Sequence, residues 1–223
     1  MSDAGRSPRT TLVHLVRHGR TAWNVERRTM GRLDEGIEPE AVPAAHAVAD
    51  VLAHEPIARL VSSPQARALQ TAMPLATLIG REPTVDERFA ELDVGPWEGF
   101  TEDEIAERWP DEWRIWRTVP HTLDVAGRET LAGLNARVGA ALDELCAELA
   151  DDGDADAGVA VVFTHDAVVR AGVAWALRTG PEIYRHVQVD NCSITTVGVI
   201  DGTPRLMVAN STAHLDVPHL RHA

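Results

Sequence analysis

Short apolar runs rich in β-branched residues alternate along the chain with longer segments whose apolar residues recur at helical spacing. The short runs predict buried strands, and residues 83–89 give the weakest signal among them. The predicted strands are residues 11–16, 59–62, 83–89, 158–163, 192–200 and 204–209. Asp201-Gly202 between the last two is typical of a hairpin turn, so these two strands are expected to pair.

The longer periodic segments predict helices that alternate with the strands. These helices are residues 39–54, 64–80, 101–108, 110–117, 130–150 and 166–178. In the second of them, Ser63 is expected as the N-cap and Pro64 as the first helical residue. Strands that alternate with helices indicate the α/β class, here a three-layer α/β/α sandwich around a mainly parallel sheet.

No linker or internal repeat divides the chain, so its 223 residues predict a single domain. We expect this domain at residues 11–215, between a flexible N-terminus at residues 1–10 and a C-terminal tail at residues 216–223.

The composition is typical of a soluble globular protein, with 44% hydrophobic and 25% charged residues. No segment approaches the roughly 20 apolar residues of a membrane-spanning helix. Residues 1–10 are polar and lack the apolar core of a signal peptide, so a cytoplasmic location is expected.

The formal net charge of -13 argues against nucleic acid or an anionic membrane as a partner, because both require a basic surface. A local arginine cluster can still hold a small anion on an acidic protein. All 21 basic residues are arginines, which excludes a Schiff-base lysine and a P-loop lysine. Cys146 and Cys192 lie in an apolar helix pattern and an apolar strand pattern; both are expected to be buried, and neither has zinc-site spacing.

Polar side chains follow three predicted strands, at the edge of an open α/β sheet where ligands bind. Arg17 and His18 follow the first strand, Arg67 comes shortly after the second, His165 follows the fourth, and Glu91 lies in a glycine-rich loop. Each of them alone is readily explained as structural. Together they suit phosphoryl transfer: arginine for phosphate oxygens, imidazole as nucleophile and a carboxylic acid for the leaving oxygen. Chemistry alone does not choose between the two histidines as nucleophile.

Four segments resemble, in order, the motifs of the histidine phosphatase superfamily, in its phosphoglycerate-mutase-like branch. They are LVRHGRTAWN at residues 15–24, SSPQARALQT at 62–71, ELDVGPWEG at 91–99 and VVFTH at 161–165. The resemblance covers about residues 12–200. It implies a phosphoglycerate-mutase-like fold, and it implies a metal-independent phosphomonoester hydrolase that acts on a small phosphorylated metabolite.

The resemblance also assigns roles to individual residues. It implies that His18 is the nucleophile, transiently phosphorylated, and that Glu91 protonates the leaving oxygen and then activates water. Arg17, Arg67 and His165 would hold the phosphoryl group. Further substrate-binding residues would be Thr21 and Asn24. No cofactor or metal is expected. A homodimer is expected, because dimers are common among similar proteins.

Several positions depart from the family's pattern. Asp166 follows His165 where glycine is usual, and its carboxylate would repel phosphate unless it pairs with an arginine such as Arg170. Residues 127–130 (GRET) resemble a Gly-Glu-Ser loop near the pocket entrance, with Arg128 inserted. Substrate choice is expected to depend on a small cap formed by residues 25–40 and 100–130.

Three tryptophans in the second cap segment, Trp109, Trp113 and Trp116, lie at i, i+4 and i+7, on one face of a predicted helix. Packing of this stripe onto the domain is favoured over a substrate-stacking wall.

Three alternatives remain open. A phosphomutase is disfavoured, because the chain has neither the Asn-Glu-Arg acid motif nor the later arginine pair of that family's mutases. A metal-dependent phosphohydrolase is suggested by His165-Asp166, but the neighbouring arginines argue against it. A phosphate-binding module without turnover is disfavoured by the complete set of candidate residues.

Overall fold

The computed structural model of the chain describes residues 10–151 and 157–215. Residues 1–9 and the expected tail at 216–223 lie outside the described residues. The strands are β1 (Thr10–Arg17), β2 (Ile57–Ser62), β3 (Thr84–Val85), β4 (Ala157–Thr164), β5 (Ile194–Ile200) and β6 (Thr203–Ser211). The helices are α1 (Ala22–Glu26), α2 (Val42–Leu52), α3 (Ala66–Ile79), α4 (Glu102–Arg108), α5 (Pro110–Thr118), α6 (Leu131–Asp151) and α7 (Asp166–Leu177). None of the described helices has the length and apolar character that a membrane crossing requires.

The six strands form one sheet in the order β3-β2-β4-β1-β5-β6. The strands β3, β2, β4 and β1 run parallel, and β5 lies antiparallel to β1 and forms the expected hairpin with β6. The register places Arg17 opposite Thr164, and Ser62 opposite Phe163. The carboxyl ends of β1, β2 and β4 therefore meet at one edge of the sheet, and the predicted mainly parallel α/β architecture is confirmed.

Successive residues of the central strands point into two separate cores, one on each face of the sheet. Leu15 and Val162 pack in a core with α6 and α7. Their neighbours Val16 and Val161 pack in a second core with α2 and α3. These two cores produce the expected three layers, because each face of a buried parallel sheet must be covered by helices.

The start of α3 differs from the prediction. The helix begins at Ala66 with Gln65 as its N-cap, and Ser63 and Pro64 lie in the loop before it. The Ser63 hydroxyl does not cap the helix; it lies 2.6 Å from Nε2 of His165. A long-range hydrogen bond thus overrides the local capping preference of serine.

Two other local expectations also need correction, and one short helix was missed. The strand predicted at residues 83–89 is only β3, two residues long, because the chain turns into a 3-10 helix that Asp86 caps. Cys192 is buried as expected, but it lies before β5 with a φ of 55° and not in the strand. The five-residue helix α1 was not predicted, although Thr21 and Asn24 form a capping box at its start.

The space around two glycines, Gly198 in β5 and Gly139 in α6, predicts opposite effects on stability when each is replaced by alanine. A Cβ at Gly198 would lie 2.1 Å from the carbonyl oxygen of Thr11 in the paired strand. We expect Gly198→Ala to lower the free energy of unfolding by about 1–3 kcal/mol, because the backbone of the pair must separate. In α6, a Cβ at Gly139 would make only ordinary contact with Trp175 at 3.6 Å. Gly139→Ala should raise that free energy by about 0.5–1 kcal/mol. Urea unfolding of both variants measures the difference, and equal effects would contradict the close approach.

Candidate active site

The loops after β1 and β2 are attached to the end of β4 by backbone hydrogen bonds. His18 N donates to Thr164 O at 2.9 Å, and Ser63 N donates to Phe163 O at 2.9 Å. A cavity of about 530 Å³ opens at this edge of the sheet. The predicted site residues on its wall are Arg17, His18, Asn24, Arg67 and Glu91.

The protonation of His18 is set by its own loop. The buried imidazole has Nδ1 2.7 Å from the carbonyl oxygen of Gly19, which can only accept, so Nδ1 carries the proton. Burial, and then the charges of Arg17 and Arg67, hold the pKa of His18 well below its ordinary value. The ring is therefore neutral near pH 7, and Nε2 keeps its lone pair.

His165 lies next to His18 but is not part of the cavity wall. The two ring centroids are 5.3 Å apart, and His165 is fully buried. Its Nε2 lies 2.6 Å from Ser63 Oγ and 3.0 Å from Gln65 Oε1, while Arg67 Nε donates to Nδ1 at 3.2 Å. His165 is thus a neutral ring, protonated on Nε2. Burial and then the charge of Arg67 hold its pKa well below the ordinary value.

The two arginines differ in how firmly they are bound. Arg67 is fully buried, and its Nη1 and Nη2 donate to the carbonyl oxygens of Leu33 and Gly31, each at 2.8 Å. Arg17 donates through Nη1 to Val189 O at 2.7 Å, and its buried Nε has no hydrogen-bond partner among the described residues. The positive charges of both arginines act on His18, and that of Arg67 is the more firmly held.

Glu91 is buried on the cavity wall, and its Oε1 accepts a hydrogen bond from Leu92 N at 2.7 Å. Burial, and then the negative charge of Asp166, raise the pKa of Glu91 to about 7. A carboxyl group with this pKa can both give and take a proton near neutral pH.

Asp166 also lies on the wall of the cavity. Its carboxylate forms a two-point pair with Arg170, with Nε to Oδ2 at 2.8 Å and Nη2 to Oδ1 at 3.1 Å. The sequence analysis predicted that the Asp166 carboxylate would repel a bound phosphate unless it paired with an arginine such as Arg170, and this pair is present.

The other two predicted substrate-binding residues have different surroundings. Thr21 is fully buried, caps α1 and does not lie among the residues that line the cavity. Asn24 does line it, and its Oδ1 accepts from Thr21 N and from Asn191 Nδ2. The amide nitrogen of Asn24 is left as a donor.

The two expected cap segments are joined to each other. Residues 28 and 101 form an isolated antiparallel bridge, and Thr29 N donates to Phe100 O at 2.8 Å. Thr29 and Met30 from the first segment, and Trp113 and Trp116 from the second, line the cavity.

The tryptophan stripe packs against the domain and also forms part of the cavity wall. Trp113 and Trp116 each make an edge-to-face contact with buried Trp97, with centroids 6.1 Å apart in both pairs. Trp109 packs on Phe100 instead, at 5.6 Å. The packing that the sequence favoured is present, and two of the three rings in addition face the cavity.

Sequence reasoning gave no role in the site to several residues that shape it. Ser63 and Gln65 fix the His165 tautomer, and both lie within the second family-like motif, which was the available signal. Asn191 donates to His18 O at 3.0 Å and had no local signal at all, because it lies 173 positions away in the chain. Arg128 was noticed only as an insertion.

The chain is similar over most of its length to proteins of a known family. The family model described as "Histidine phosphatase superfamily (branch 1)" matches residues 13–212. Phosphoserine phosphatase 1 from Hydrogenobacter thermophilus is 28% identical over 201 residues, which cover 90% of this chain and 92% of that protein. A Yersinia enterocolitica protein named "Probable phosphoglycerate mutase GpmB" is 30% identical over 218 residues, with 93% and 96% covered. The solved structure of a mycobacterial glucosyl-3-phosphoglycerate phosphatase superposes with a TM-score of 0.80 at 28% identity, covering 92% of this chain and all of that one.

The surroundings of Glu91 predict how its titration responds to substitution. The Glu91 carboxyl is expected to titrate with a pKa of about 7. Asp166→Asn should move this midpoint to lower pH, because it removes a negative charge and leaves the positive charge of Arg170 unpaired. Carbon-13 NMR of glutamate carboxyl groups measures the midpoint, with Glu91→Gln to assign the signal. Asp111→Asn, in an exposed pair on α5, is the control and should leave it unchanged. A midpoint that stays or rises in Asp166→Asn would refute this electrostatic account.

Proposed function

The chain belongs to the histidine phosphatase superfamily and is a phosphatase of that type, and from this premise we propose that it hydrolyses a small phosphorylated metabolite through a phosphohistidine on His18. The observation that carries the proposal is that one cavity wall holds both an unprotonated ring nitrogen and a carboxyl group that can give a proton near neutral pH. His18 has a free Nε2 lone pair between two arginines, and Glu91 has a pKa of about 7.

In the first step, the Nε2 lone pair of His18 attacks phosphorus and forms an N–P bond. The ester P–O bond breaks, its electron pair goes to the leaving oxygen, and that oxygen takes the proton of Glu91. The Nδ1–H donated to Gly19 O stabilises the positive charge that develops on the imidazole. Glu91 ends this step as a carboxylate.

In the second step, a water molecule attacks the phosphohistidine. Glu91, now ionised, takes a proton from the water while the new O–P bond forms. The N–P bond breaks and its electron pair returns to Nε2, which regenerates neutral His18. Inorganic phosphate and the protonated Glu91 complete the cycle, so protons and charges balance.

Fixed positive groups would stabilise the transferring phosphoryl group, which carries negative charge on its equatorial oxygens. Arg17 has an unpartnered Nε among the described residues, and Arg67 adds a second charge held in place by its three hydrogen bonds. The amino end of α7, which has no side-chain cap, adds backbone N–H groups beside the cavity. In this proposal His165 acts mainly by orienting Arg67, because both of its ring nitrogens are already hydrogen bonded.

The surroundings of His165 and Asp166 favour this mechanism over a metal-dependent phosphohydrolase. A metal site at this pair would need a free carboxylate and a free imidazole nitrogen. Here Arg170 occupies the carboxylate, and Ser63, Gln65 and Arg67 occupy the imidazole. Metal independence is therefore part of the proposal.

A phosphomutase is the second candidate function, since one relative at 30% identity is named as a phosphoglycerate mutase. In that reaction the phosphohistidine would return its phosphoryl group to the organic substrate rather than to water. Incubation with 3-phosphoglycerate separates the two: a phosphatase releases inorganic phosphate, and a mutase forms 2-phosphoglycerate and requires a bisphosphate primer.

The related phosphatases named for phosphoserine and for glucosyl-3-phosphoglycerate support a small phosphorylated metabolite as the substrate class. The cap formed by residues 25–40 and 100–130 would select among such metabolites. A homodimer and a cytoplasmic location stay predictions from the sequence.

Removal of the nucleophile tests the proposed chemistry directly. We expect the native protein to hydrolyse p-nitrophenyl phosphate in excess EDTA, and His18→Ala to lose at least about a thousandfold in kcat/KM. His46→Ala, on the exposed face of α2, is the matched control and should retain full activity. Loss of activity in EDTA would refute the metal-independent mechanism, and an active His18→Ala protein would refute the nucleophile assignment.

The acid role of Glu91 predicts a dependence on the leaving group. Glu91→Gln should lower kcat/KM for an alkyl ester such as glycerol 3-phosphate by about 100-fold or more. The loss for p-nitrophenyl phosphate should be much smaller, because p-nitrophenolate is a stable leaving anion that needs no proton. Glu107→Gln, an exposed carboxyl on α4, serves as the control. Equal losses on both esters would mean that Glu91 does not protonate the leaving oxygen.

A further inference from the structure

Arg128 is a buried arginine on the wall of the same cavity. Only 8% of it is exposed, although arginine is rarely buried without a partner. Its guanidinium carbon lies 4.5 Å from the ring centroid of Trp116 and 5.2 Å from that of Trp97. The indole faces therefore hold the guanidinium between the loop at residues 91–99 and α5.

The carboxylates of Glu129 and Asp93 lie near enough to act on the charge of this guanidinium, but neither forms an ion pair with it. Among the residues that the structure describes, none forms an ion pair with Arg128, and the neighbouring Glu129 pairs with Arg137 at 2.6 Å instead. Arg128 donates one side-chain hydrogen bond, from Nη1 to the carbonyl oxygen of Glu129 at 3.2 Å. Among the described residues, its buried Nε has no hydrogen-bond partner, and its Nη2 forms no hydrogen bond.

A buried charge without a counter-ion is costly, and stacking on aromatic rings recovers only part of the lost hydration. Glu129 already has its own partner, and the backbone carbonyl satisfies a single donor. Such a cation on a cavity wall is suited to receive an anion from the cavity. The phosphoryl group itself has a separate set of partners around His18.

We propose that Arg128 binds a second, carboxylate group of the substrate, so that the enzyme prefers phosphomonoesters that also carry a carboxylate. This inference rests on the proposed phosphatase function and adds a specificity-determining residue to it. A carboxylate fits better than a second phosphate, because one guanidinium balances one negative charge and offers the planar donors that a carboxylate accepts. The indoles of Trp97 and Trp116 keep the donors in place before the substrate arrives.

A purely structural role is the competing explanation, since Arg128 also joins Trp97 to Trp116. The two roles differ in what a substitution changes. A structural role affects every substrate alike, whereas a carboxylate receptor affects only those substrates that carry the carboxylate. Arg128→Met separates them, because its apolar side chain can still pack between the indoles.

The test compares two phosphomonoesters that differ at one carbon. 3-Phosphoglycerate carries a carboxylate where glycerol 3-phosphate carries a hydroxymethyl group. We expect Arg128→Met to lower kcat/KM for 3-phosphoglycerate about 10- to 100-fold, and to change that for glycerol 3-phosphate less than about threefold. Arg128→Lys, which keeps the charge, should recover part of the preference. Arg108→Met is the matched control, because Arg108 stacks on Phe100 at 4.1 Å but does not line the cavity.

Equal losses on both esters, or an unchanged preference, would overturn the proposal. Fructose 1,6-bisphosphate and fructose 6-phosphate form a further pair. A selective loss on the bisphosphate without one on 3-phosphoglycerate would assign the site to a second phosphate and would also overturn it.

Calorimetric binding of 3-phosphoglycerate and glycerol 3-phosphate to His18→Ala proteins, with and without Arg128→Met, gives the same comparison without turnover. Absent hydrolysis by the native protein would overturn the proposed function alone. In the His18→Ala protein that keeps Arg128, equal dissociation constants for the two ligands, or no binding of 3-phosphoglycerate, would overturn the role of Arg128.

Discussion

The parallel pairing of β1 with β4 is the constraint on which the site depends. With Arg17 opposite Thr164, the two strands end at the same level, and His18 N is bonded to the last carbonyl of β4. The pairing of β2 with β4 adds the loop that starts at Ser63. Because the three strands are central and both faces are covered by helices, their ends are rigid, and side chains that leave them keep fixed relative positions.

Burial then determines the chemical state of the groups at this edge. In water His18 would be partly protonated near pH 6.5 and Glu91 would be ionised. In the cavity the low dielectric reverses both tendencies, since it raises the pKa of Glu91 and lowers that of His18. In the proposed reaction, the same desolvation that costs stability therefore prepares an unprotonated imidazole as nucleophile and a carboxyl group that can give a proton near neutral pH. Asp166 adds to the effect on Glu91, and its pair with Arg170 limits the negative charge presented to a phosphate.

A second group of cavity residues follows a different principle. Trp97, Trp113, Trp116 and Arg128 come from the 91–99 loop, from α5 and from the 127–130 turn, and they are held by aromatic packing rather than by strand register. Gly95 and Gly127 pass so closely that a Cβ at Gly95 would lie 2.4 Å from Gly127 O, which brings Arg128 against Trp97. In the proposed reaction, the residues at the sheet edge perform the chemistry, and the cap supplies contacts that would distinguish one phosphomonoester from another.

Local pattern alone was enough to predict five of the six strands, the hairpin at Asp201-Gly202 and the alternation that implies a three-layer fold. The exception is the strand predicted at residues 83–89, of which only the two residues of β3 are present. Periodicity is a property of neighbouring residues, so these elements could be read from the chain. The motifs likewise brought His18, Arg67 and Glu91 forward as candidates. The tertiary structure decided that Ser63 bonds to His165 instead of capping α3 and that His165 lies behind the cavity wall. It also decided that Arg128 is buried without an ion pair among the described residues. Each of these depends on atoms far apart in sequence and on the water that folding excludes, and no local pattern contains that information.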